Sequence, residues 1–526
     1  MARTHSIALV GVQGHPVEIE ADIENGLPGL LLVGLPDTAL REARDRIRAA
    51  IINSGEQWPQ RRITVGLSPA SLPKRGSGFD IGIAVAILAA AGVVPGASID
   101  GVAFLGELGL DGQVRPVRGV LPAVAGAAAA GFSRVVVAQA NAAEAALVPG
   151  LQVLGATTLG GLLSWLRGDI KSSGPESVEV LEGGTLPVPA GVATARPGGA
   201  PPDLADVLGQ PAARRAAEIC AAGGHHQSLL GPPAAGKTML AERIPTILPP
   251  LGRAAALEVT SIHSVAGVLP AGGPLITEPP FCAPHHTATK AAIVGGGSGV
   301  IHPGAASLAH RGCLFLDEAP EFGRDVLDAL RQPLESGEVV VARSGVTARF
   351  PARFTLVLAA NPCPCAKGTG SRATRPGLRA VCSCSPAARR RYLARLSGPL
   401  LDRVDVKVEF LPVGRAELLS DRRFAESSAA VAGRVAGARR RAADRLKDTP
   451  WRLNGEIPAS ELRRRFTPGP GALAPLERAM DLGEISARGV HRVIRVSWTL
   501  ADLAGVPRPT SAETSYALGL WLGVGG

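Results

Sequence analysis

Residues 228–238 read SLLGPPAAGKT. A short apolar strand runs into Gly231, Pro232, Pro233, Ala234, Ala235, Gly236, Lys237 and Thr238, which fit G-x-x-x-x-G-K-[ST] at every fixed position. Glycines let the main chain curl until its N–H groups face one centre. The helix predicted over Lys237–Ile247 adds the partial positive charge of its N-terminus. Such a cradle suits a triphosphate, with Lys237 reaching the β- and γ-phosphates and the Thr238 hydroxyl on Mg²⁺. With 65 Gly and seven Lys in 526 residues, chance supplies about 0.01 such matches. The expected fold class is therefore α/β with a P-loop, and the expected ligands are ATP and Mg²⁺.

Downstream, Cys313–Leu316 is a run of four apolar residues, followed by Asp317 and Glu318. A buried strand that ends on two carboxylates predicts the opposite wall of the same site. Asp317 holds the Mg²⁺ shell and Glu318 polarises the attacking water as general base. The next apolar run, Phe354–Ala360, ends at Asn361. An amide at that tip can orient the water against the γ-phosphate. Taken alone, an Asn before Pro362 is a turn residue.

Four of the seven cysteines fall in two pairs, Cys363 with Cys365 and Cys382 with Cys384, with sixteen residues between the pairs. Four thiolates can form a tetrahedral site, for which Zn²⁺ is the default metal. The segment between them is polar and Gly-rich and has little to fold around without a staple. A structural Zn²⁺ in an insert over 362–386 is the expectation, with free thiols as the alternative. Cys220, Cys282 and Cys313 have no such partners and read as packing residues. His285 and His286 are adjacent, so their side chains diverge on any regular element and one shared metal is not expected.

The rest of the chain sorts by composition. Residues 1–168 alternate short β-branched runs with Ala-rich helical stretches, which predicts an α/β domain. Residues 169–203 are dominated by Gly, Pro and Ser and read as a flexible linker. The ATPase core is expected over 204–412. Beyond it, 413–526 is expected to be a small helical domain, with helices over Ala429–Leu446 and Val490–Leu503. The longest apolar run, Ile81–Val94, is 14 residues, whereas a membrane span needs about 20. The N-terminus shows no apolar signal region. A cytoplasmic protein with reduced thiols and no membrane partner is the expectation. The net charge of +10 favours polyanions, nucleic acid above all. Only seven of the 55 basic residues are Lys, and such Arg bias with abundant Ala, Gly and Pro also follows from a GC-rich coding sequence.

Five longer segments carry a resemblance: CAPHHTATKAAIVGGG (282–297), PGAASLAHRGCLFLDEAPEF (303–322), ANPCPC (360–365), GPLLDRVDV (398–406) and SARGVHRVIRVSWTLADLAG (486–505). With the P-loop they resemble the YifB/ComM family of magnesium-chelatase-like AAA+ ATPases over nearly the whole chain. The resemblance implies a Lon-protease-like α/β domain at the N-terminus and a helical lid at the C-terminus. It implies that Arg403 is an arginine finger entering a neighbouring subunit's site, and that Arg488 is the lid arginine that touches the γ-phosphate. A finger given in trans requires an oligomer, and the family suggests a ring, a hexamer above all. The segment Glu338–Arg353 reads as a hairpin turning at Ser344-Gly345. By resemblance it projects toward the ring pore, where Arg343 and Arg349 would meet a nucleic-acid backbone.

Leu72–Asp80, LPKRGSGFD, is similar to the Lon catalytic domain around its nucleophile. The matching positions hold Gly78 instead of the Ser and Leu121 instead of the Lys. Ser–Lys chemistry needs a hydroxyl within reach of an unprotonated amine, so no protease dyad is expected, although Ser77 stands one residue away. The leading expectation is an ATP-driven motor on DNA, with branch migration in recombination or transformation as the implied task. A magnesium-chelatase-type motor subunit and a Lon-like ATP-dependent protease are the alternatives.

Overall fold

The computed structural model describes residues 1–526 except 35–36, 75, 170–177, 185–201, 270–272, 274, 298–300, 344–345, 366–381, 383, 415–418, 422–423 and 524–526. Ten strands form the first domain: β1 (Ala2–Val10), β2 (Gln13–Glu24), β3 (Gly29–Val33), β4 (Arg62–Ser68), β5 (Val102–Leu105), β6 (Glu107–Leu108), β7 (Val114–Arg115), β8 (Arg134–Ala138), β9 (Gln152–Ala156) and β10 (Glu179–Glu182). Eight of them make one mixed sheet in the order β10-β9-β8-β5-β1-β2-β4-β3, while β6 and β7 pair separately. Strand β2 alternates buried and open positions because one face lies on the core. The helix Asp80–Ala90 is apolar all round and packs into the core, with buried Asp80 accepting from Arg46 Nε at 2.7 Å. Within the stretch expected to be linker, β10 pairs antiparallel with β9 and closes one sheet edge. Its alternating EVLE run is short enough to be masked by the Gly and Pro around it.

The second domain holds another sheet, built from β11 (Gln227–Leu230), β12 (Phe281–Cys282), β13 (Cys313–Leu316), β16 (Thr355–Ala360) and β17 (Val406–Glu409). All pairs are parallel, in the order β12-β13-β16-β11-β17. Strands β13 and β16 are buried at every position, as continuous apolar runs with both faces covered must be. A hairpin of β14 (Glu338–Arg343) and β15 (Val346–Pro351) precedes β16. The expected turn, Ser344-Gly345, lies outside the described residues.

The two domains share a core. Ala256 and Leu275 pack with Val120, Val124 and Val153, and the Gly119 N–H donates to the Ser264 carbonyl at 3.2 Å. Val265, Ala348 and Phe350 pack against Leu9 and Val12 of the β1–β2 corner. A Cβ built on Gly11, whose φ is +66°, would lie 2.5 Å from the Arg349 carbonyl oxygen. The hairpin is therefore seated on the first domain by main chain that leaves no room for a side chain.

After β17 the described residues are helical. The helix Ala487–Ala504, in the region expected to be a lid, and the helix Ser428–Arg445 pack together and on Pro211–Gly223, beside the second sheet. Ser486 caps the lid helix by accepting from the Gly489 N–H at 3.3 Å, and Gly505 ends it at φ +73°. Among the described residues, no helix is long and apolar enough to cross a membrane.

Candidate nucleotide site and thiol cluster

Parallel pairing puts the P-loop, Asp317 and Asn361 at the C-terminal ends of three adjacent strands. The Gly231 N–H donates to the Ala360 carbonyl at 3.1 Å, tying the base of the loop to the neighbouring strand. A Cβ on Gly231 would lie 2.7 Å from the Phe410 carbonyl oxygen, so only glycine fits there. Gly236, at φ +97°, faces open space, with no atom within 4 Å of a built Cβ. That is the concavity a phosphate cradle needs.

Lys237 is buried, and its Nζ donates to the Gly231 carbonyl at 2.7 Å, the Pro232 carbonyl at 2.8 Å and Asn361 Oδ1 at 3.1 Å. Burial draws its pKa down, against the opposing charges of Asp317 and Glu318. Thr238 Oγ1 donates to Asp317 Oδ2 at 2.8 Å, so the two expected Mg²⁺ ligands already face each other. Glu318 sits at φ +49°, a left-handed conformation that costs a non-glycine residue about 1–3 kcal/mol. The turn is held by the Glu318 N–H donating to Asp317 Oδ1 at 2.9 Å. The donor set and the open cradle fit a magnesium-bound triphosphate. Such a group, when bound, supplies a γ-phosphorus open to attack. Main-chain amides and Lys237 are placed where they could hold phosphates, and Glu318 where it could take a proton from water.

Two neighbours of this site were not assigned from sequence. His286 Nδ1 lies 3.4 Å from Glu318 Oε2, while His285 Nδ1 pairs with Thr287 Oγ1 at 2.8 Å. The two rings do not diverge as expected: their centroids lie 4.1 Å apart, tilted by 33°, because the segment is an irregular turn, and one ring of the pair rests on the candidate base. Buried Tyr392 lies near Glu321, Glu318 and the Asn361 main chain, and burial pushes its phenol up to about 12. No local spacing signal could have found either contact.

Arg403 is placed away from the P-loop, within electrostatic reach of Arg488. Arg403 stands just before β17, at the N-terminal edge of the sheet. The strand β11, about 13 Å long, separates that edge from the cradle. Arg403 donates to Glu335 and to the Pro399 carbonyl. Burial lowers its pKa, and the charges of Arg331, Arg492 and Arg488 lower it further. In the hairpin, Arg349 is exposed and donates to Glu338 Oε1 at 2.5 Å. The side chain of Arg343 lies outside the described residues.

The sulfurs of Cys363, Cys365, Cys382 and Cys384 all lie within 4.8 Å of one another. A tetrahedron of Zn–S bonds near 2.3 Å places sulfurs about 3.8 Å apart, so the set fits one Zn²⁺. Burial and the adjoining thiols push Cys363 up to about 12, whereas a hydrogen bond from the Cys384 main chain holds Cys382 down to about 6. In the first domain, Ser77 donates to Glu107, and Lys74 Nζ donates to the carbonyls of Pro69 and Leu72. Leu121 is buried. No hydroxyl–amine couple is formed by these groups.

The family model for magnesium chelatase, subunit ChlI, matches residues 203–418. The model for subunit ChlI of Mg-chelatase matches 19–141, and that for the ChlI C-terminal region matches 425–520. Competence protein ComM of Haemophilus influenzae is 40% identical, covering 99% of this chain and 97% of the relative. Protein YifB of Escherichia coli is 39% identical over 95% of this chain and 92% of its own. An uncharacterized protein of Mycobacterium tuberculosis is 51% identical over 98% of both. Similarity to the magnesium-chelatase 38 kDa subunit of Cereibacter sphaeroides is 41% but spans only 12% of this chain. With the P-loop sheet and these full-length relatives, the chain belongs to the YifB/ComM family of magnesium-chelatase-like AAA+ ATPases.

Proposed function

We propose that this ATPase is the subunit of a ring, a hexamer above all, that couples ATP hydrolysis to movement on DNA. The observation that carries the ring is the separation of Lys237, Asp317, Glu318 and Asn361 from Arg403 by the length of the sheet. Arg403 can meet a γ-phosphate only on a second copy, so the triphosphate lies between copies, and Arg488 reaches it beside Arg403. Lys237 and Thr238 then bind phosphate and Mg²⁺, Glu318 activates water, Asn361 orients it, and the two guanidiniums offset the charge that develops on transfer. The Cys₄ cluster holds Zn²⁺ as a staple that begins two residues after Asn361.

Support for DNA comes from the net charge of +10, from the Arg-bearing hairpin, and from full-length similarity to a protein named for competence. The chelatase alternative is favoured by the family models alone; the short overlap with the 38 kDa subunit weakens it. The test is turnover with and without forked or single-stranded DNA at low salt. Stimulation is expected, falling as salt rises. Neither binding nor stimulation at low salt removes the DNA reading and leaves the ATPase.

A further inference from the structure

The lid helix Ala487–Ala504 carries polar residues at Arg488, Arg492, Arg495, Thr499 and Asp502. The spacing of four, three, four and three residues keeps them on one face. The helix buries Val493, Ile494, Val496 and Leu500 in the apolar core, and its polar face adds a chain of directed bonds. Arg492 Nη1 donates to Asp405 Oδ1 at 2.9 Å and to the Arg403 carbonyl at 3.3 Å. Arg495 Nε donates to the Ile457 carbonyl at 2.7 Å, and Thr499 Oγ1 pairs with His225 Nε2 at 2.7 Å. Asp502 takes both Arg445 and Asn454.

Asp405 is the other end of the first contact. It is buried, and burial alone would raise its pKa; the Arg492 charge and the His225 contact overcome this and hold the carboxyl below its ordinary range. Its Oδ2 accepts from the His226 N–H at 3.1 Å, and its own N–H donates to the His226 carbonyl at 2.9 Å. The segment carrying Arg403 is therefore fastened on one side to the foot of β11 and on the other to the lid.

We propose that Arg492 is a positioning residue for Arg403: it fixes the main chain of the finger to the lid helix, so that the lid of one subunit governs hydrolysis in the next. This rests on the reading of Arg403 as a finger given in trans. Arg488 lies one turn before Arg492 on the same face and within electrostatic reach of Arg403. A small rotation of the helix therefore moves both guanidiniums together. Displacing a catalytic group by about 1 Å can cost a hundredfold in rate, so a single contact at the base of the finger suffices to gate it.

The experiment uses Arg492→Ala and Arg492→Lys in the full chain, with Arg403→Ala and Glu318→Gln as partners. Both Arg492 variants are expected to retain labelled ATP while turnover falls about a hundredfold for Ala and less for Lys. Glu318→Gln subunits have an idle site and an intact finger. Mixed in equal amounts with either Arg492 variant, they restore turnover, since about a quarter of random interfaces then join an intact site to an intact finger. A residue that serves only its own subunit's fold or site gives no such recovery. If Arg492→Ala does not fold, the Lys variant carries the same mixing test. Turnover of Arg492→Ala within about twofold of the parent overturns the proposal. So does loss without recovery under conditions where Arg403→Ala does recover on mixing. If Arg403→Ala itself keeps full turnover, the finger reading fails and the role of Arg492 falls with it.

Discussion

Thr238 Oγ1 and Asp317 Oδ2 stand 2.8 Å apart across the mouth of the P-loop. A hydroxyl on the first turn of one helix and a carboxylate at the tip of a neighbouring strand meet where one Mg²⁺ needs both. Glu318 follows Asp317 but is turned away by its left-handed backbone, toward His286. The proposed roles of metal holding and water activation thus fall to adjacent residues aimed differently.

That division predicts two distinct failures. Lys237→Ala removes the buried ammonium and is expected to abolish retention of labelled ATP in magnesium buffer, with a loss of affinity on the order of a hundredfold or more. Glu318→Gln keeps shape and is expected to retain ATP while turnover falls about 10²–10⁴-fold. Equilibrium binding and phosphate release measured on the same samples check both. Ordinary turnover in Glu318→Gln would show that another group takes the proton.

The thiol cluster is expected to bring about one equivalent of zinc per chain through purification. Cys363→Ser with Cys382→Ser is expected to lose it, and to lower the melting temperature of the ATPase module. Elemental analysis decides, and a parent protein with far less than one equivalent would leave the sulfurs as free thiols.

Stability is expected to depend on pH through His226. Burial lowers its pKa to about 4 from an ordinary 6.5, and its Nδ1 accepts the Leu356 N–H at 3.1 Å. The folded state holds the neutral ring, so the unfolded chain binds more protons between those two values. Stability contributed by this site is complete above about 6.5 and is lost as the pH falls through 4. His226→Asn keeps an acceptor that cannot be protonated there. Its melting temperature is expected to drop less than the parent's between pH 7 and pH 5, as differential scanning measures.

Gly11→Val adds a branched side chain where a Cβ already meets the Arg349 carbonyl at 2.5 Å, at a φ of +66°. The hairpin is expected to lift from the first domain, with faster proteolysis around β15 and unchanged ATP retention. Unaltered cleavage would mean that the seat is not held by this contact.

The nucleotide half of the site was legible because its chemistry is local. Eight consecutive residues make the cradle, and Asp317, Glu318 and Asn361 each end an apolar run whose burial follows from composition. Arg403 and Arg488 were different. Each is one Arg among many, and only the family segments around them marked them out. Asp405, Arg492 and His286 act across long sequence separations, through the order of strands in the sheet and the docking of the lid, and no spacing rule reports that. The strand β10 was hidden for another reason. Four residues of weak alternation were outweighed by the Gly and Pro on either side, and its partner β9 lies more than twenty residues earlier.

Opposite edges of one sheet carry the cradle and the arginine cluster. On the proposed ring, a lone subunit owns two incomplete halves and nothing whole. Thinning the protein out should silence it as surely as taking away its fuel, and its specific activity should climb with concentration until the circle closes.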